Sequence, residues 1–182
     1  MKRLMNTFLL SAAVALASFA CQTSPKTEGE KLDLRHDADA TAAMFRQQDP
    51  SIKENFFDKA YGWAVFPTVG KGAVGVGGAY GRGVLYEQGE IAGYCDLSQG
   101  TIGLQLGGQA YREIIFFEYK EALDWFKTGN LAFSAQASAV AVTAGASADA
   151  KYDRGVAVFT MTRGGLMFEA SIGGQKFSYE PK

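Results

Sequence analysis

Histidine is almost missing from this chain: His36 is the only one among 182 residues. Cysteine is nearly as scarce, with Cys21 and Cys95 alone, and there are only four prolines. One imidazole and two thiols cannot build the clustered N and S ligand sets of zinc sites. No metal and no cofactor are therefore expected. The enzyme reading fares no better. Neither H-E-x-x-H nor G-x-S-x-G occurs. His36 sits in a polar helical stretch, where a solvent-exposed ring is expected. Cys95, next to Asp96, has no base in view, and a cysteine within a β-run behaves as a small buried hydrophobe. No catalytic residue is assigned.

An excess of positive charge is missing too. Eighteen Lys and Arg face nineteen Asp and Glu, a formal net charge of −1. Removing Lys2 and Arg3 with a leader would give 16 − 19 = −3. This balance lacks the global basicity of a nucleic-acid binder, so neither nucleic acid nor nucleotide is an expected partner. Any anion binding must come from a local patch. Arg82, Arg112, Arg154 and Arg163 read as scattered over turns and strand edges.

What is present begins with an N-terminal targeting pattern. Lys2 and Arg3 precede the apolar run "LMNTFLLSAAVALA", which is short for a bilayer span. Ser18 and Ala20 are small residues at the positions a signal peptidase inspects, giving a leader over residues 1–20. Cys21 follows directly and is the candidate lipidation site, although Ser18 stands where lipoboxes usually carry leucine. Simple secretion with cleavage after Ala20 is the plainer alternative. Residues 21–33, with "QTSPKTEGEK", read as a polar tether. The expectation is an exported protein of a bacterial cell envelope, lipid-anchored on the outer membrane or facing the periplasm.

Residues 34–61 read as two helices. Asp49 is a good N-cap and Pro50 suits the first helical position of the second one. Ile52, Phe56 and Ala60 then form an apolar stripe, with Lys53 and Lys59 beside it. The stripe fits a helix packed on a core, or an amphipathic helix lying on lipid. From Gly62 the texture turns to strands. "YEQGEI" is a hairpin signal, "LSQGTI" reads as the next turn, and "EIIFFEY" as a buried strand. Residues 62–119 thus predict a meander of five strands. "KEALDWFKTG" predicts one helix at residues 120–128, with Gly129 as its C-cap glycine. "LAFSAQASAVAVTAGASADA" is ambiguous and leans to strand. "YDRG" is a turn, and three short strands close the chain.

Glycine is abundant, at 22 residues. Gly70, Gly72 and Gly75 match G-x-G-x-x-G to the letter. A dinucleotide loop needs a helix immediately afterwards, to seat the pyrophosphate on its N-terminus. Gly77, Gly78, Gly81 and Gly83 would each cost such a helix about 1 kcal/mol relative to alanine. Val74 and Val76 alternate with glycine at the strand period. The glycines therefore read as a bare strand face that permits close approach or strong curvature.

The stretch "VFPTVGKGAVGVGGAYGRGVLYEQGEIAGYCDLSQGTIGLQLGGQAYREIIFF" resembles the SYLF domain family of lipid-binding proteins. "EALDWFKTG", "FSAQASAVAVTAGA" and "VAVFTMTRGGLMFEASIGGQKF" continue the resemblance in order, over roughly residues 34–182. The resemblance implies a β-rich domain that binds phospholipids, phosphoinositides in eukaryotic members. It also implies a membrane-binding N-terminal amphipathic helix with nearby basic residues, matched here by "SIKENFFDKAYGW". The SH3 and FYVE modules that many relatives carry are not found in this sequence, and its export signal argues against the actin role of some eukaryotic members.

These readings converge on a β-rich α+β fold. A curved antiparallel sheet or barrel-like meander follows two short N-terminal helices, with one helix inserted near residues 120–128. The expected function is non-catalytic binding of anionic phospholipid. Lys53, Phe56, Phe57, Lys59 and Lys71 are the candidate contacts to a membrane surface. One alternative is a structural or protein-binding envelope scaffold. A weaker one is a lipid carrier with an apolar cavity lined by residues such as Phe116, Val140 and Phe159.

Overall fold

The computed structural model describes residues 25–74, 76–102, 107–131, 133, 138–163 and 170–182. The expected leader, residues 1–20, and Cys21 lie outside the described residues.

Helix α1 spans Glu28–Gln48. It is neither short nor preceded by a tether that reaches residue 33. A capping box starts it early: Glu30 N–H donates to the Thr27 hydroxyl at 3.2 Å, and the Glu30 carboxylate accepts from Thr27 N–H at 3.2 Å. Ala38, Thr41, Ala42 and Phe45 form its buried stripe. Asp49 closes α1 and caps the next helical turn, as expected, by accepting from Ser51 N–H at 3.1 Å. The second helix is a single π-helical turn, Lys53–Phe57, with Asp58 N–H bonded to the Lys53 carbonyl at 2.9 Å. Such turns recur at functional sites.

Four long strands come next where five were expected: β1 (Gly62–Val74), β2 (Val76–Glu87), β3 (Glu90–Ile102) and β4 (Gly107–Phe117). The β2–β3 hairpin turns on Gln88 and Gly89, both at positive φ (51° and 86°), as a two-residue primed turn requires. "LSQGTI" is not a turn. It runs on inside β3, where Gly100 pairs with Gly78 and a Cβ would meet nothing. Helix α2 (Lys120–Lys127) buries Ala122, Leu123 and Phe126, and Gly129 lies just beyond it at φ 71°. Of the ambiguous alanine-rich stretch, Ser138–Ala141 forms β5 and Ala146–Ala148 a 3₁₀ turn. β6 (Val156–Thr162), β7 (Ala170–Ser171) and β8 (Gln175–Pro181) complete the strands.

The strand order is β7-β5-β6-β4-β1-β2-β3-β8, antiparallel except for the β5–β6 pair. The sheet is curved but not closed. Its curl is visible from contacts across it. β4 and β8 are separated by three strands, yet Gln175 Nε2 reaches Glu113 Oε2 at 3.1 Å. Likewise Phe66 of β1 meets Phe177 of β8 at 6.2 Å. The outer face is covered by α1 and the π turn, over Val65, Val84, Tyr94, Ile114, Phe116 and Phe159. The inner face is covered by α2, over Phe66, Leu85, Leu97, Ile115, Phe117 and Phe177. Among the described residues no helix is long and apolar enough to cross a membrane.

Candidate functional site

The π turn is built by its aromatic residues. Phe56 packs on Phe159 at 4.7 Å, Tyr152 at 5.1 Å and Phe116 at 5.3 Å. Phe57 packs on Phe116 at 4.8 Å and Trp63 at 5.4 Å, with the Arg46 guanidinium 3.8 Å over its ring. Both rings are buried. Tilted and edge-on pairs of this kind hold a core together beyond simple area burial. In this structure, therefore, neither Phe56 nor Phe57 offers its ring to a membrane. Phe116 and Phe159 pack on Phe56, and Val140 packs against the same cluster.

The lysines are exposed but not equivalent. Lys53 is held by the Asp58 carboxylate, at 2.8 and 2.9 Å to its two oxygens. This bond spans the same residues as the π-turn backbone bond. Lys59 has no ion pair among the described residues. Lys71 sits far along β1, half-buried, opposite Ala79 and Gln109. At about 3.3 Å per residue it is of order 25 Å from Trp63, at the other end of the strand. The structure thus groups Lys53, Phe56, Phe57 and Lys59 and leaves Lys71 apart.

Lys59 stands on the rim of a cleft of about 370 Å³. The π turn supplies Asn55 and Phe56, and the loop before β6 supplies Ser147, Lys151 and Tyr152. Lys151 is exposed and also lacks an ion pair among the described residues. Glu118 is the single carboxylate on the lining. The Tyr152 hydroxyl is buried and has no hydrogen-bond partner among the described residues. Burial, then the nearby Glu118 charge, push its pKa up, so it remains a neutral hydrogen-bond donor. Two ammonium groups with no ion pair among the described residues, an amide and a hydroxyl thus share this cleft with one carboxylate.

Asp49 holds the two walls of the cleft together. Its carboxylate is buried and accepts from Ser51 N–H, Ser51 Oγ, Gly145 N–H and Ser147 N–H. Burial opposes its ionisation, but these hydrogen bonds outweigh burial and its pKa falls below the usual value. Asn55, Lys151 and Tyr152 escape sequence reasoning. Lys151 and Tyr152 lie more than ninety residues beyond the π turn, and no local pattern links them to it.

The remaining candidates lie away from this cleft. His36 is exposed beside Asp37, as expected. Cys95 is buried in the inner core, and burial, with Asp96 beside it, raises its thiol pKa well above normal. Gly70 and Gly72 lie inside β1 and pair with β2, while Gly75 lies outside the described residues. A strand on each side, with no helix, is incompatible with a dinucleotide loop.

Residues 98–181 match the family model Ysc84, described as "Las17-binding protein actin regulator". The chain is also 31% identical, over 157 residues, to Beta cell expansion factor A of Aeromonas veronii. That match takes in 85% of this chain and 59% of the relative. The chain thus spans well under two thirds of that protein's length.

Proposed function

Because this chain carries a Ysc84 (SYLF) family domain over residues 98–181, we propose that it binds anionic phospholipid surfaces without catalysing a reaction. The observation that carries this reading is the cleft beside the π turn, with Lys59 and Lys151 uncommitted on its rim. The buried Phe56 and Phe57 favour headgroup contact over insertion of rings. Binding of this kind is electrostatic and screened, because the Debye length is only about 10 Å at 0.1 M salt.

The test is co-sedimentation of the full chain with neutral and with anionic vesicles across a salt series. Binding should be selective for anionic vesicles and fade with salt. A Lys near an anionic surface contributes about 1 kcal/mol. Reversing both charges in a Lys59→Glu, Lys151→Glu variant should therefore weaken binding by well over tenfold. Lys53→Glu should cost less, because Asp58 already engages that ammonium. Equal binding to neutral vesicles, or none to either, would sink this reading. The second outcome would favour a protein-binding scaffold, for which Trp125, 51% exposed on α2, is the natural contact.

Export and anchoring through Cys21 belong to the same proposal. Cys21→Ser should move the protein from the membrane fraction to the soluble fraction of cells. An unchanged distribution would count against a lipid anchor.

A further inference from the structure

Three arginines that stand far apart in the chain are neighbours on the outer face of the sheet. Thr68 of β1 pairs with Arg82 of β2. On its other side β1 bulges: Phe66 pairs with Glu113 and Val69 with Tyr111, so Pro67 and Thr68 together oppose Arg112 of β4. Arg112 pairs with Met161 of β6. Two residues further on, Arg163 donates from its guanidinium to the Thr68 hydroxyl and from its backbone N–H to the Ala110 carbonyl. Alternation puts all three on one side. Tyr111 faces the inner core, so Arg112 faces out; Val84 belongs to the outer cluster, and Arg82 lies two residues before it. Thr68, Arg82 and Arg163 are exposed, and Arg112 is half-buried.

Arg112 and Arg163 have no carboxylate within ion-pair distance among the described residues. None of the three forms an ion pair among the described residues. Arg112 gives one N–H to the Thr162 carbonyl at 3.4 Å. Asp96, opposite Arg82 in the β2–β3 register, is the one carboxylate beside the cluster; it is buried and accepts from the Tyr80 hydroxyl at 3.0 Å and Ser178 Oγ at 3.2 Å, so it offsets part of the charge of Arg82 and none of that of Arg112 or Arg163 by direct contact. Glu30, on α1, feels the charge of Arg82, but its carboxylate is taken by the N–H groups of Lys26 and Thr27. Burial, then the charge of the neighbouring Arg163, lower the Arg112 pKa. Guanidinium groups stay charged throughout the working pH range. Three guanidinium groups beside one buried carboxylate leave an excess of positive charge, which an oxyanion would offset.

We propose that Arg82, Arg112 and Arg163, around Thr68, form a binding site for a phosphate monoester group. The planar forks of arginine match tetrahedral phosphate oxygens two at a time. Three guanidinium groups suit a dianion better than a carboxylate, which has only two oxygens to share. The bulge at Pro67–Thr68 bends β1 at this point, and bulges are frequent where a strand re-aims side chains at a site. This site is separate from the Lys59 cleft and does not depend on it.

The test is titration calorimetry of the full chain at 0.15 M salt with inorganic phosphate and with glycerol 1-phosphate. Wild type should show saturable binding of one phosphate per chain. Arg82→Gln and Arg163→Gln, both at exposed positions, should each weaken it about tenfold, the usual weight of a charge-assisted hydrogen bond. Arg112→Lys should fail to restore what Arg112→Gln loses, because an ammonium lacks the fork. The Lys59→Glu, Lys151→Glu variant should bind phosphate normally, so failure of the cleft reading and failure of this one are distinguishable. Vesicles containing phosphatidic acid identify the source. A gain in arginine-dependent vesicle binding assigns the site to a lipid headgroup, whereas binding of the soluble ester without that gain assigns it to a free phosphate ester. No saturable phosphate binding together with no phosphatidic acid gain would overturn the proposal. So would equal binding by wild type and by Arg82→Gln and Arg163→Gln.

Discussion

The same four long strands serve two different purposes along their length. At one end Trp63 stacks on Tyr86 at 5.6 Å, and Phe116 is clamped between Phe56 and Phe57. At the other end exposed Gly70, Gly78 and Gly100 leave the backbone bare, and exposed Thr68 and Arg82 take the place of rings. The aromatic end is interlocked and covered by α1 and the π turn. The glycine end is thin and presents charge. One strand can thus anchor the core and display a ligand surface, because packing density is set residue by residue.

The largest effect should come from breaking the aromatic end. Phe56→Ala removes a ring in contact with three others, and such truncations cost about 3–5 kcal/mol. Urea unfolding should show this loss. A cost below about 1 kcal/mol would mean that the π turn is not part of the core.

The curl between the two ends can be probed through Glu113. It is buried, its Oε1 has no hydrogen-bond partner among the described residues, and burial lifts its pKa to about 8 against a hydrogen bond from Gln175. Tyr111 and Thr160 are the other polar groups beside it, and neither carries a positive charge. In the unfolded chain a glutamate titrates near 4.3. Between about pH 4.3 and 8 the folded state therefore keeps a proton that the unfolded state has lost. Stability should fall across this window as pH rises, by up to about 1.4 kcal/mol per unit, and level off above it. Glu113→Gln should flatten that profile, as read from urea midpoints at several pH values. A wild-type profile already flat over the window would refute the assignment.

The smallest effects sharpen the contrast between glycines. A Cβ on Gly83 would lie 2.6 Å from the Val65 carbonyl oxygen and 2.8 Å from the Phe66 ring. Gly83→Ala should cost about 1–3 kcal/mol. A Cβ on Gly100 meets nothing, so Gly100→Ala should stay within about 0.5 kcal/mol of wild type. Equal costs would show that chain stiffness, not close approach, explains both.

Much of this architecture is legible from residue order alone. The Gln88–Gly89 hairpin, the Asp49 cap, the buried stripe of α2 and its glycine stop each have a local signature. The departures also have local causes. "LSQGTI" has the composition of a turn because glycine suggests a positive φ, which Gly100 does not adopt. Helix α1 begins six residues before the expected start because the Thr27–Glu30 box is hidden in a polar stretch that reads as tether. The site is harder to read. Arg82, Arg112 and Arg163 look scattered because register, not sequence spacing, makes them neighbours. Lys151 reaches the π turn only through the fold.

The Asp49 anchor has a consequence for the order of events during folding. Its carboxylate binds N–H groups 96 and 98 residues downstream. Closing so long a loop is entropically costly, and contacts of high sequence separation slow folding. The N-terminal cover of the sheet therefore cannot lock until residues 145–147 have been made and brought back. A nascent or truncated chain ending before them would hold a buried aspartate deprived of two of its donors. Its cap would be formed but unfastened, and its aromatic rings would be within reach of any apolar surface nearby.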